Sequence, residues 1–331
     1  MNHQSLDLLS PDPVLEASLA AGLAQVEQEL RESVRSSSPF INEAAGYLVE
    51  AGGKRFRPLL VLLAAQFGDP SRPEVIRSAA AVELTHLATL YHDDVMDEAP
   101  MRRGASSANA RWGNSVAILT GDFLFARTSA ILADLGPEAV RIQARTFERL
   151  CIGQILETVG PEDGADPVKH HLEVLADKTG SLIAASGRYG ALMSGADSAT
   201  IEVLARFGEC IGVAFQLADD LVDIMSESSQ SGKTPGTDLR EGVPTLAALI
   251  ALGGQSVQDG RLRELLSRPL GDDDEHAEAL RLLRSHPALA EARQEACRWA
   301  DDARAALAPL PPGGASRTLE LLCDYVVSRT G

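Results

Sequence analysis

Two acidic motifs share one spacing. Asp93-Asp94-Val95-Met96-Asp97 closes an apolar stretch that runs from Arg77 to Glu98, just before Pro100. Asp219-Asp220-Leu221-Val222-Asp223 closes a second, from about Val203 to Met225. At 3.6 residues per turn, the first and last Asp of each motif stand on one helix face, a turn apart. His86 falls near the Asp93 face, and Gln216 lies one turn before Asp219, where it can add a hydrogen bond. A helix C-terminus is the negative end of the macrodipole, so carboxylates gathered there call for cations. Oxygen-only donors suit Mg²⁺, which takes a few carboxylates and completes its shell with water and substrate phosphate. One such motif alone reads as a charged helix end; two on separate helices are expected to face each other across a cavity.

The basic residues are also grouped. Gly52-Gly53-Lys54-Arg55-Phe56-Arg57-Pro58 leads into the apolar run Leu59 to Ala65, and Pro58 marks a helix start. Cations at a helix N-terminus oppose the dipole unless an anion bridges them, and the glycines let backbone approach that anion. Arg102-Arg103-Gly104 follows the first acidic helix, and Lys178-Thr179-Gly180-Ser181, Gly232-Lys233 and Gly236-Thr237-Asp238 complete the set. Each alone reads as solvated surface. Their order around the acidic motifs points to an anionic, phosphate-bearing ligand held with Mg²⁺.

These groups need rigid elements to hold them. The chain has 331 residues, 45% hydrophobic and only 4% aromatic. Its apolar content is mostly Ala, Leu and Val, which favours helices. Residues 1–13 read as a flexible tail. From Val14 to the end, apolar residues recur at three- and four-residue spacing. Joints fall at Gly68 to Pro73, Gly160 to Pro167, Ser226 to Gly242, Pro269 to His276 and Pro311 to Ser316. No strand-like alternation flanked by hairpin turns is evident. The acidic run Asp272-Asp273-Asp274-Glu275 reads as a solvated loop. The expectation is one all-α domain, a helical bundle of about ten or more helices. A net charge of −17 argues against a nucleic-acid partner. Cys151, Cys210, Cys297 and Cys323 are too scattered for a metal site or disulfide framework. With no apolar leader and no uninterrupted apolar run of membrane-span length, the expectation is a soluble, cytoplasmic protein.

In this order the motifs resemble those of the trans-prenyl diphosphate synthase (polyprenyl synthetase) family. They are G-G-K-R-x-R-P at Gly52, H-D-D-x-x-D at His92 with its trailing R-R-G, K-T-G at Lys178, F-Q-x-x-D-D-x-x-D at Phe215 and G-K-x-x-G-T-D-L at Gly232. The resemblance spans roughly residues 14 to 330. It implies a bundle with a central active-site cavity, usually a homodimer, and three Mg²⁺ ions with substrate bound. Asp93, Asp97 and Asp219 would hold the metal, with Asp94, Asp220 and Asp223 nearby. Arg102, Lys178 and Lys233 would contact the diphosphate of an allylic substrate, farnesyl or geranylgeranyl diphosphate, with Thr179 and Gln216 close by. Lys54, Arg57, His86 and Arg103 would hold isopentenyl diphosphate. One departure stands out: the family often has Lys where this chain has Val243, which weakens or rearranges allylic diphosphate binding.

The implied chemistry needs charge more than a nucleophile. Breaking an allylic C–O bond leaves negative charge on diphosphate and a carbocation that water would quench, so fixed cations and a dry cavity are required. The growing chain is implied to run beside the first acidic helix. There Ala81, Val82, Thr85, Ala88 and Thr89 are small over roughly 18 Å, at about 1.5 Å per residue. That favours a long product, heptaprenyl to decaprenyl, with a membrane as one destination. Geranylgeranyl diphosphate synthesis is the alternative if Phe123 or Phe125 from a neighbouring helix forms a floor. A type I terpene cyclase lacks need of the second diphosphate site, and a non-catalytic regulatory subunit has no need of both complete Asp motifs.

Overall fold

A computed structural model describes residues 12–226, 235–254, 256 and 259–329. Residues 1–11 of the expected tail and Lys233 lie outside the described residues. Asp12 caps the first helix, accepting from the Val14 and Leu15 amides, and Pro13 is already its first residue.

The described chain is all-α but for one small hairpin. In order it forms α1 (Pro13–Ser33), α2 (Pro39–Glu50), α3 (Phe56–Ala64) and α4 (Pro73–Met96). The hairpin β1 (Met101–Arg102) and β2 (Ala105–Ser106) follows. Then come α5 (Ala108–Trp112), α6 (Asn114–Leu135), α7 (Pro137–Val159), α8 (Pro167–Leu175), α9 (Ser181–Ser194) and α10 (Ser198–Met225). The last group is α11 (Thr237–Glu241), α12 (Leu246–Gly253), α13 (Gly260–Leu266), α14 (Asp273–Ser285), α15 (Pro287–Ala306) and α16 (Gly314–Ser328).

The chain divides into two compact units. One holds the described residues up to Phe147 with Leu182–Ala205 and Pro309–Leu319; the other holds Glu148–Ser181, Arg206–Ala308 and the described residues from Glu320. In the first unit α4 is buried nearly all round, from Val75 through Leu84 and Leu87 to Tyr91, against α1, α3 and α6. A helix apolar on every side belongs in a core. Tyr91 is anchored there: its hydroxyl donates to the Ala44 carbonyl at 2.5 Å and accepts from the Leu48 amide. In the second unit Leu217, Leu221 and Ile224 of α10 pack with Leu246 of α12, Leu265 of α13, and Leu280 and Leu283 of α14. The apolar residues of α10 thus bury one side while its carboxylates occupy another.

Two sequence expectations need correction. The acidic run at Asp272 is the first turn of α14, not a loop: the Asp272 carboxylate accepts from the Asp274 and Glu275 amides. Acidic side chains are favoured there by the free N–H groups and the positive dipole end. A hairpin is also present, because Arg103 (φ 52°) and Gly104 (φ 79°) both take left-handed conformations. This is the two-residue turn that matches strand twist.

Candidate active site

The first acidic motif ends α4 as expected. Asp97 is the C-cap residue and its amide bonds the Asp93 carbonyl. Asp93 is partly exposed and Asp97 exposed, whereas Asp94 is fully buried. Asp94 therefore plays a different part from its neighbours. Arg102, placed by β1, donates from Nε to Asp94 Oδ1 at 2.5 Å, while Oδ2 is buried with no partner. Burial pushes the Asp94 carboxyl up from its ordinary value, and Arg102 opposes that shift. Arg102, expected on substrate, is engaged with Asp94 in the structure.

The basic motif forms a cradle in the same unit. Arg103, at the hairpin turn, donates to the carbonyls of Leu48, at 2.9 Å, and Gly52. Its guanidinium lies where a Gly53 Cβ would come within 3.1 Å, so the second glycine of the motif makes room for the arginine. Arg57 has a buried Nε with no partner. Burial lowers the pKa of its guanidinium, and Arg103 adds to that effect. His86, on α4, is held well below its ordinary value, first by burial and then by Arg57, Arg103, Arg55 and Arg102. A neutral imidazole among guanidinium groups is a site for an anion. Lys54 is exposed beside it in sequence.

Arg55 was absent from the expected ligands, and the structure explains why it stands apart. It is the N-cap of α3 in a left-handed conformation, φ 49°. Its side chain turns inward to Glu27 at 2.5 Å, Glu83 at 2.8 Å and the Val49 carbonyl at 2.9 Å. Three adjacent cations thus divide, with one anchoring the loop that carries the other two. The sequence held one clue: Glu83 is an isolated carboxylate in the apolar run of α4.

The small-residue wall is buried: Ala81, Val82, Thr85 and Ala88 are at most 1% exposed, with Thr89 partly so. Of the two candidate floor residues, Phe123 stacks on Arg127. Phe125 packs 4.4 Å from the Phe147 ring and 5.7 Å from His92.

In the second unit, a π-helical turn at Ala176–Gly180 carries Lys178 and Thr179. Such turns displace side chains from the regular helical phase. Arg149 holds the turn by bonding Asp177 at 2.6 Å, Glu209 at 2.8 Å and the Ala176 carbonyl. Gly153 of α7 lets it approach, since a Cβ there would lie 2.6 Å from the Lys178 amide nitrogen. Lys178 pairs with Glu157 at 2.5 Å, a partner the sequence reading did not include. Thr179 donates to Gln216 Oε1 at 3.4 Å, and Gln216 donates to Asp220 at 3.0 Å. Asp220 is pushed up to about 8 by burial and the neighbouring carboxylates of Asp238, Asp219 and Asp223. Asp219 is paired with Arg329 at 2.6 Å, whose guanidinium also lies over Phe215. The Asp223 carbonyl accepts from the Gly236 amide and its carboxylate from the Asp238 amide, which ties α11 to the motif. Val243 follows α11, 38% exposed, beside a cavity of about 60 Å³ that Arg268 also lines.

Among the described residues, no three His, Cys, Asp or Glu side chains converge as a ready-made metal site. The raised Asp220, the orphaned Asp94 oxygen and the Arg329 counter-ion on Asp219 mark a carboxylate surplus. In each unit by itself the donors are all oxygen, the set that suits Mg²⁺.

A family model described as polyprenyl synthetase matches residues 38–283. A nonaprenyl diphosphate synthase of Mycobacterium tuberculosis is 50% identical over 321 residues, 97% of this chain and 96% of its own length. A geranylgeranyl pyrophosphate synthase structure from Corynebacterium glutamicum, complexed with calcium and isoprenyl diphosphate, is 44% identical with a TM-score of 0.88. That match covers 97% of this chain and 99% of the other. A decaprenyl diphosphate synthase structure from Rhodobacter capsulatus is 35% identical with a TM-score of 0.87, covering 96% and 98%.

Proposed function

The chain belongs to the polyprenyl synthetase family, and we propose that it is a Mg²⁺-dependent trans-polyprenyl diphosphate synthase extending farnesyl or geranylgeranyl diphosphate to heptaprenyl-to-decaprenyl length. The observation that carries the chemistry is the cradle of Arg57 and Arg103 around a neutral His86, on the helix that ends in Asp93 and Asp97. With Lys54, these groups bind the diphosphate of isopentenyl diphosphate. The buried wall of small residues on α4, and the 50% identity to a nonaprenyl synthase, support the long product.

Asp93 and Asp97 are the proposed Mg²⁺ ligands of the first unit, and Asp219 that of the second. When bound, Mg²⁺ neutralises charge developing on the leaving diphosphate. Lys178, Thr179 and Gln216 orient the allylic diphosphate, and Lys178 exchanges Glu157 for a phosphate oxygen. Arg102 keeps Asp94 paired. Lys233 is assigned by its motif alone, and Val243 contributes no charge. The apolar wall excludes water from the allylic cation. The terminal methylene of isopentenyl diphosphate attacks that cation, and the proton then lost passes to the released diphosphate.

A homodimer through α6 is part of this reading. Ile118 and Leu119 on that helix are 42% and 66% exposed. By length and composition α6 is also the one described helix able to cross a membrane, but it carries Asp122 and Arg127 and packs on α4. A cytoplasmic site of action fits the same reading.

A second reading, geranylgeranyl diphosphate synthesis, is favoured by the Corynebacterium likeness and by the Phe125–Phe147 pair beside His92. Purified protein incubated with Mg²⁺, labelled isopentenyl diphosphate and either primer decides between them. A long all-trans ladder supports the proposal. Arrest at geranylgeranyl supports the second reading, and no transfer with any primer refutes both.

A further inference from the structure

Thr85 and Gln143 form a polar rung on the small-residue face of α4. Thr85 is fully buried on α4, and Gln143 of α7 donates from Nε2 to its Oγ1 at 3.0 Å. The Thr85 hydroxyl itself donates to the Ala81 carbonyl at 2.9 Å. Its proton is therefore committed, so the side facing Gln143 is an acceptor and the amide must present Nε2. The other end of that amide, Oε1, is buried with no partner. An unmet buried carbonyl is costly, and an apolar side chain of similar size would avoid the cost. Packing alone gives no reason for glutamine here.

The position of the rung suggests one. Ala139, Gln143 and Phe147 recur at four-residue steps along one stripe of α7. Phe147 meets Phe125, which meets His92 next to Asp93; Gln143 meets Thr85; and the Ala139 carbonyl accepts from the Tyr189 hydroxyl at 2.7 Å. Going down α7 from Phe147 thus accompanies going down α4 from His92. Thr85 lies eight residues before Asp93, about 12 Å of helix axis.

We propose that Gln143 is a determinant of product length, its bond to Thr85 being a gate across the path of the growing tail. This rests on α4 being the wall of the tail pocket, as proposed above. A hydrocarbon end that reaches Thr85 offers neither donor nor acceptor. To go further it must break the bond and leave the amide unpaired at both ends. That slows the passing step on the order of tenfold and sets how much product stops at this depth.

The test is the product ladder, read as the ratio of the longest to the shorter products and normalised to total label incorporated. Gln143→Met keeps length and removes the amide; it raises the ratio about tenfold. Thr85→Val removes the acceptor while keeping shape and shifts the ratio the same way. Gln143→Phe fills the gap and lowers it. Circular dichroism checks that each variant folds, and Thr85→Val decides the matter if Gln143→Met does not. Unchanged ladders for Gln143→Met and Thr85→Val overturn the proposal, even where Gln143→Phe shortens the product, because bulk alone then acts. A wild-type protein that transfers no label refutes the underlying function, and the gate with it; a wild type that makes prenyl products while the variants match it refutes the gate alone.

Discussion

Arg55 allows the tightest energetic test of the architecture. Its side chain is 5% exposed and that of Glu83 3%, while Glu27 is 20% exposed. Arg55→Met removes the cation but leaves both carboxylates in place. Breaking one partner out of a buried ion pair costs about 3–5 kcal/mol, because the remaining charge is stranded away from water. Glu83 would still feel Arg57 and Arg103, so the lower end, about 3 kcal/mol, is expected. Against a typical total of about 5–15 kcal/mol, that is a large loss. Adding Glu83→Gln to Arg55→Met removes the stranded charge, so the double variant is more stable than Arg55→Met alone, by about 1–2 kcal/mol. Arg55→Gly separates backbone from charge, since glycine takes the left-handed conformation without the cost of about 1 kcal/mol that other residues bear. That gain is outweighed by the cavity left where a buried side chain is removed, about 2–5 kcal/mol, so Arg55→Gly should be more harmful than Arg55→Met. Urea unfolding at neutral pH measures all three, and the KM for isopentenyl diphosphate reports whether the loop still aims Lys54 and Arg57. A rise of about tenfold or more in KM is expected for Arg55→Met. A variant within about 1 kcal/mol of wild type, with its KM unchanged, would mean that Arg55 does not anchor the cradle.

Two further predictions concern the second unit. Gly153→Ala puts a methyl 2.6 Å from the Lys178 amide nitrogen; the π-helical turn must shift, costing about 1–3 kcal/mol and lowering kcat more than it raises the KM for isopentenyl diphosphate. Steady-state kinetics with both substrates varied, beside a melt, would contradict this if only the melting temperature fell. His171 is 7% exposed and burial holds its imidazole down to about 4. A histidine with a depressed folded pKa leaves more protons on the unfolded chain below about pH 6.5, so stability falls as pH drops from there towards 4, by about 3 kcal/mol in all. His171→Leu should flatten that limb in urea midpoints taken between pH 7 and 4.5; an unaltered slope would rule His171 out as its source.

What could be read from the sequence was whatever obeys helical phase. Asp93 and Asp97 share a face because four residues make about one turn, and the same holds for Asp219 and Asp223. The small wall from Ala88 to Ala81 follows from the same geometry. Hidden features arise where the backbone leaves that phase or where partners are remote in sequence. Lys54, Arg55 and Arg57 look alike as letters; only a left-handed φ at Arg55 turns one of them into the core. The hairpin turn sets Arg102 against buried Asp94, a partner that helical phase does not supply. The π-helical turn alters where Lys178 points, and nothing in A-D-K-T-G announces it. Gln143 reads as an ordinary polar residue on a helix, because its partner lies 58 residues away. The acidic run at Asp272 is different, since the signal was available there. An Asp with Glu three residues later, ahead of Ala277, Ala279 and Leu280, has the form of a helix start. In this chain the order of charged residues discloses the chemistry, whereas their present partners are set by the fold: Glu83 for Arg55, Asp94 for Arg102, Glu157 for Lys178. Those three carboxylates, none of them a proposed metal ligand, are the present partners of three of the chain's cations.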